Sequence, residues 1–215
     1  MIFTKEMDKF VVDLLAGVAA NRPYAKRSLE LILAGASAPT KLKAPVTKGF
    51  QSGAKYLQDF GITTGLRLSH FLGQVSHETG GFQWMEEQGS PSYFDRYEGR
   101  TDLGNTTKGD GARYHGRGLI QLTGRNNYRL YGRVLGLPLE SNPEIAKDFP
   151  VNLQVALHYW TINRLSELAD EDNVSVITRR INGGQNGLQD RIRKVEATKA
   201  AIAKEYLMHN LIEGE

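Results

Sequence analysis

The chain has 215 residues, of which 40% are hydrophobic and 24% charged, and it contains no cysteine. That length suits one medium domain with a substantial core, and the lack of cysteine excludes disulfides, zinc–thiolate sites and thiol nucleophiles. A formal charge of +3, from 27 Lys and Arg against 24 Asp and Glu with no long basic run, allows weak attraction to polyanions and carries no information about fold.

Phe10, Val11, Leu14, Leu15 and Val18 follow helical spacing and predict a first helix; Leu29, Leu31, Ile32 and Leu33 predict a second, starting after Pro23. The apolar run FVVDLLAGVAA is interrupted by Asp13 and preceded by Glu6 and Asp8. It is too short and too charged to span a bilayer and has no cationic leader, so the chain is expected to stay in the cytoplasm where it is made. Residues 34–49, AGASAPTKLKAPVTKG, hold small residues and two prolines and read as a loop or linker. Residues 1–45 are therefore expected to form an N-terminal helical segment packed on a main domain of residues 46–215.

Helical patterns resume in FQSGAKYLQDFG and TGLRLSHFLGQVSHE, with Leu66, Phe71, Leu72 and Val75 on the apolar face. That helix should end near Glu78, because Gly80 and Gly81 are costly inside a helix and favoured just after one. The glycine-rich stretch 99–118, GRTDLGNTTKGDGARYHGRG, has few apolar side chains and reads as an extended connection running over the surface. Further helices are predicted over residues 127–135, 151–164, 174–181 and 188–207, with Pro150 as a start signal and Gly183-Gly184 as a stop. Strand signals are few and short, so the predicted class is mainly α.

In SHETGGFQWMEEQGS, residues 76–90, a glycine pair separates Glu78 from Glu86 and Glu87. On one continuous helix Glu78 and Glu87 would lie about 13 Å apart along the axis, on opposite faces. A turn at the glycines lets the chain fold back, so that two carboxylates can flank a sugar at about 6.5–9.5 Å with room for a water. Glycoside hydrolysis needs such a pair, a protonated acid for the leaving oxygen and an ionised carboxylate to activate water. Glu78 has Phe71, Phe82 and Trp84 nearby in sequence, which predicts desolvation favouring the protonated form. Glu86 and Glu87 adjoin polar residues and ionise more easily. From the residues alone, either of those two serves as the base, and ordinary solvated glutamates remain the competing reading.

HFLGQVSHETGGF, EEQGSPSYF, YHGRGLIQLTGRNNY, RRINGG and DRI occur in this order over residues 50–195. Together they resemble the family 19 glycoside hydrolases, the plant-type chitinases and the related endolysins of bacterial viruses. The resemblance implies a lysozyme-like two-lobed helical domain with a central substrate cleft. It implies Glu78 as general acid, Glu87 rather than Glu86 as general base, and Thr123 as a hydroxyl that helps hold the attacking water. Gln121 then lines the cleft, Asn127 binds an acetamido group with Tyr128 following it, and His77 accompanies the acid. Asn182 becomes a substrate contact, with a helix cap as the alternative, and Arg191 engages the carboxylates or the sugar. Trp84 and Trp160 are expected to be buried, Tyr93 and Tyr114 to be sugar platforms on polar loops, and Tyr128 suits core as well as cleft. Gly116 and Gly118 suit a tight turn.

Plant chitinases are secreted and held by disulfides, whereas this chain has neither cysteine nor leader. The resemblance therefore implies a phage endolysin, held in the host cytoplasm until its release to the periplasm and cell wall. Such an enzyme hydrolyses β-1,4 bonds of peptidoglycan by an inverting mechanism; the alternatives are a chitinase, or a lytic transglycosylase using one glutamate. A zinc peptidase beginning HExxH is ruled out because Gly81 stands where the second histidine would be. No metal or cofactor is expected. The expected partner is the glycan strand of peptidoglycan, with no nucleic acid, no stable membrane insertion and a monomeric state.

Overall fold

The computed structural model describes residues 2–213. Its helices in chain order are α1 (Lys5–Ala19), α2 (Pro23–Ser37), α3 (Ala44–Ser52), α4 (Ala54–Asp59), α5 (Gly65–Glu78), α6 (Asp110–Arg113), α7 (Arg125–Leu135), α8 (Val151–Ile162), α9 (Leu165–Asp170), α10 (Val174–Asn182) and α11 (Leu188–Glu213). Short 3₁₀ turns cover Pro91–Tyr97, Thr101–Leu103 and Pro143–Lys147. Among the described residues, extended pairing is limited to isolated bridges at Glu86–Arg117 and Arg117–Leu122. The fold is mainly α-helical.

Local signals set the helix ends. Thr4, Thr64 and Asn173 each accept a backbone N–H of the first turn, opening α1, α5 and α10. Gly136 and Gly183 close α7 and α10 in left-handed conformations with φ of 66° and 75°.

Two compact units result, one made of residues up to Gln83 together with those from Leu157 onward, the other of Trp84–Ala156. In the first unit α11 packs along α5 and α2, and α1 packs on α2 and α4. Small residues allow the close approaches: a Cβ at Gly73 of α5 would lie 2.5 Å from Val195 Cγ2, and one at Gly35 of α2 would lie 2.9 Å from Ala201 Cβ. Leu15, Leu29, Ile32, Leu33, Phe71 and Leu72 are fully buried there, each such side chain contributing about 1.5–3 kcal/mol.

The structure corrects the reading of residues 34–49 as a loop. α2 continues to Ser37, and α3 begins at Ala44 with Pro45 in its first turn, burying Val46 and Phe50. Proline there starts a helix, because first-turn N–H groups have no intrahelical acceptor.

Residues 99–118 run over the surface only in part: residues 99–102 and 106–109 are exposed, whereas 114–118 are buried. Asn105, Asp110, Tyr114, His115 and Arg117 are all buried. Their side chains are satisfied by Tyr97, Arg125, Glu140, Glu86 and Glu144, so a segment poor in apolar side chains still contributes to a core, and glycines admit the backbone. A Cβ at Gly118 would lie 2.6 Å from the Ala146 carbonyl oxygen.

Candidate active site

In the first unit, α5 delivers His77 and Glu78 at its last turn. Thr79 then ends the helix, its hydroxyl donating to the Val75 carbonyl at 2.7 Å and accepting from Phe82 N at 3.1 Å. Gly80, Gly81 and Phe82 are successively left-handed, with φ of 58°, 74° and 61°, and the Gly81 N–H closes onto Ser76 O at 2.7 Å. This is the glycine elbow expected from the sequence. Phe82 holds a conformation that is unfavourable for a side chain, stabilised by its burial and by the Thr79 bond.

Two consecutive residues of α11 reach two consecutive residues of α5. Asp190 Oδ2 lies 2.6 Å from His77 Nδ1. Arg191, 2% exposed, donates to the Glu78 carboxylate and to Gln74 Oε1, the latter at 2.5 Å. Burial pushes the Asp190 carboxyl up, but the His77 hydrogen bond and the Lys194 charge prevail and hold it below the usual range. Burial foremost, and then the nearby Glu78 charge, push the Tyr159 hydroxyl up.

The Glu78 side chain is 20% exposed and its carboxylate is bonded by Arg191. Phe71 pairs edge-on with Trp160 and Phe82 with Phe50, and Trp84, expected to be buried, is 54% exposed.

In the second unit the two adjacent glutamates part company. Glu87 N donates to Gly116 O and Gly118 N to Met85 O, both at 2.8 Å, so this stretch is locally extended and successive side chains point to opposite sides. Glu86 is spent on two cations and an imidazole: Arg117 Nε at 3.2 Å, Lys147 Nζ at 3.0 Å and His115 Nε2 at 3.0 Å. Burial raises its carboxyl, yet the bonds from Lys147 and His115 win and hold it below the usual value. Arg117, 2% exposed, extends this network to Glu144 at 2.6 Å and to the Tyr128 hydroxyl at 3.1 Å.

Glu87 is held differently. Its Oε1 accepts from the Tyr97 hydroxyl at 3.0 Å and from Arg96, and its Oε2 accepts from Gly116 N at 3.1 Å. The 3₁₀ turn Pro91–Tyr97 supplies both side chains, with the Arg96 guanidinium lying 3.8 Å from the Tyr93 ring centroid. Next to Glu87 runs a polar row. A Cβ on Gly116 would lie 2.9 Å from Gln121 Oε1 and 3.3 Å from Glu87 Oε2. Gln121 Nε2 donates to Gly118 O at 3.0 Å, the Thr123 hydroxyl donates to Gln121 O at 2.9 Å, and the exposed Asn127 donates to Thr123 O at 2.7 Å.

Two expected substrate contacts, Tyr114 and Tyr128, are placed otherwise. Tyr114, 1% exposed, donates its hydroxyl to Glu140 O at 2.9 Å; its neighbours are polar, but its ring is sealed in. Tyr128, 0% exposed, donates to His115 O at 2.9 Å, and burial pushes its hydroxyl up. Neither ring offers a face to a sugar. Asn182 stitches its own turn, donating to Asn186 O at 2.9 Å and accepting from Gly184 N at 2.8 Å. The sequence reading missed Asp190, Gln74, Arg96 and Tyr97. Only Asp190 carried a signal, standing beside Arg191 in DRI.

A family model described as "Chitinase class I", glycoside hydrolase family 19, matches residues 48–187. A glycosyl hydrolase family 19 domain-containing protein of Haemophilus influenzae is 31% identical over 176 residues, which is 69% of this chain and 86% of that protein. An endochitinase of Arabidopsis thaliana is 36% identical over 121 residues, 55% of this chain, but the match spans only 40% of that protein. Among solved structures, chitinase C from Streptomyces griseus superposes with a TM-score of 0.63 at 22% identity, covering 81% of this chain and 91% of that one. A class IV chitinase from Zea mays gives 0.57 at 18% identity, covering 81% and 90%. At such identities these structures share the fold.

Proposed function

The chain belongs to glycoside hydrolase family 19, and from that membership we propose that it cleaves β-1,4 glycosidic bonds of bacterial peptidoglycan by an inverting, two-carboxylate mechanism, as a lysis enzyme of a bacterial virus. Glu78 protonates the departing glycosidic oxygen, and Glu87 takes a proton from the water that attacks the anomeric carbon from the opposite face. The sugar oxygen leaves with Glu78's proton, and the new reducing end carries the water's oxygen.

The observation that carries this reading is the different fate of adjacent glutamates. Glu86 is bonded to Lys147, Arg117 and His115. Among the described residues, Glu87 accepts from Arg96, a tyrosine hydroxyl and one backbone N–H, and it stands beside the row Gln121, Thr123 and Asn127. In this assignment Thr123 orients the water, Gln121 and Asn127 bind the glycan, and Arg191 and His77 fix the acid. The catalytic domain spans residues 46–215 and acts as a monomer.

A second reading keeps the same residues and replaces the substrate by an N-acetylglucosamine polymer, as the endochitinase names of plant relatives favour. Mass spectrometry of digests of purified peptidoglycan and of chitin oligosaccharides tests both. Peptidoglycan fragments with ordinary reducing ends support the proposal. Cleavage of chitin alone selects the second reading, and anhydro-sugar ends from peptidoglycan would refute hydrolysis.

A further inference from the structure

The second unit contains a cavity of about 850 Å³ lined by residues of α6, α7 and the segments flanking them. Glu87, Gln121, Thr123 and Asn127 do not line it. Its charge is lopsided. Arg125, Arg129 and Arg133 recur every fourth residue along α7, so they share one face about 6 Å apart along the axis. Like charges at this spacing destabilise a helix, and α7 itself gives no reason to collect them.

Two of the three are matched inside the protein. Asp110 takes Arg125 with both oxygens, at 2.5 and 3.0 Å, and Glu140 takes Arg129 with both, at 2.7 and 2.9 Å. Asp110 and Glu140 are the only carboxylates among the lining residues, against the cations Lys108, Arg113, Arg125, Arg129 and Arg133. Arg113 is bonded to a backbone carbonyl and a tyrosine hydroxyl, at 2.6 and 3.2 Å, and to no carboxylate. Lys108 and Arg133 are exposed and form no ion pair among the described residues. Three cations thus converge on one concavity without internal counter-charge.

We propose that this cavity binds phosphoryl groups of an extended polyanion, with Lys108, Arg113 and Arg133 as the primary contacts. Each phosphoryl group brings at least one negative charge and several acceptor oxygens, and the guanidinium fork fits it in bidentate fashion. A concave wall of one sign focuses the potential on such a ligand. The site tethers the enzyme to a phosphate-bearing surface while its catalytic residues act elsewhere, and it does not depend on which glycan is cleaved.

Isothermal titration of the full chain with sodium tripolyphosphate tests this. Saturable binding is expected, weakened at least about tenfold in a Lys108→Glu/Arg133→Glu double variant and in added salt. Both positions are exposed, so the variant should keep the wild-type melting temperature and its activity on uncharged chitin oligosaccharides. Lys108→Ala/Arg133→Ala provides the milder check. No saturable binding by the wild type, or equal binding by the folded double variant, would overturn the proposal. Sedimentation with vesicles of phosphatidylglycerol in phosphatidylcholine then assigns the source. Capture that requires Lys108 and Arg133 places the phosphate on a lipid, and tripolyphosphate binding without capture places it on a non-lipid polymer.

Discussion

Arg191, buried in α11, donates to the carboxylate of Glu78 at the end of α5 while its other terminal nitrogen holds Gln74. One planar group thus ties the candidate acid to the body of its own helix. Lysine retains the charge but loses the two-pronged geometry. Arg191→Lys is expected to lower kcat by about a hundredfold with KM little changed, since small misplacements of catalytic groups have effects of that size. Steady-state kinetics on a soluble oligosaccharide check it, and unchanged kcat would remove Arg191 from the mechanism.

Glu86 and Glu87 make opposite predictions. Glu87→Gln should keep the melting temperature and lose activity by about 10²–10⁴-fold, the usual contribution of a general base. Glu86→Gln leaves Lys147, Arg117 and His115 without their shared carboxylate. It should cost about 1–2 kcal/mol of stability, discounted for partial exposure. Thermal unfolding and activity measured on both variants check the pair, and a reversed pattern would exchange their roles.

Stability should fall in two stages as pH decreases. Burial depresses the His70 imidazole below its ordinary 6.5 despite the Asp172 hydrogen bond. The unfolded chain therefore takes the proton first, and stability is full above 6.5 and declines below it. Glu86, Asp172 and Asp190 are held below their ordinary values of 4.5, 3.8 and 3.8 although burial opposes it. Their contribution is present above those values and is lost as pH falls through the lower folded ones. Melting temperatures from about pH 8 to 3 should show both stages, and His70→Gln should flatten the first.

The elbow after Glu78 needs glycine for two reasons. Gly81 has φ of 74°, and a Cβ would lie 2.6 Å from Thr40 Oγ1; Gly99 has φ of 68° with nothing within 4 Å. Gly99→Ala should cost only the backbone term of about 1–2 kcal/mol. Gly81→Ala should cost distinctly more and also reduce activity. Equal losses of stability, read from denaturant midpoints, would show that the elbow tolerates a side chain.

What the sequence disclosed follows from where information is local. The end of α5 at Glu78 was legible because a glycine pair follows it, and α7, α8, α10 and α11 were legible from periodicity and caps. The later part of residues 99–118 was misread because polar and glycine-rich composition ordinarily means surface, whereas here Tyr114, Arg117 and Asp110 are buried against Glu140, Glu144 and Arg125, partners outside the segment. The burial of Tyr128 and the role of Asp190 were hidden for a related reason. Each depends on a partner distant in the chain, His115 and Arg117 for one and His77 for the other. Which of two adjacent glutamates is spent on cations is likewise a tertiary fact.

Hydrolysis by a water entering opposite the leaving oxygen inverts the anomeric carbon, so time-resolved proton NMR of a chitin oligosaccharide digest tests the two-carboxylate account most directly. The first product should carry the α-anomer, with β appearing only by later mutarotation. Initial β-anomer would mean retention and would contradict the assignment of Glu87 as the base.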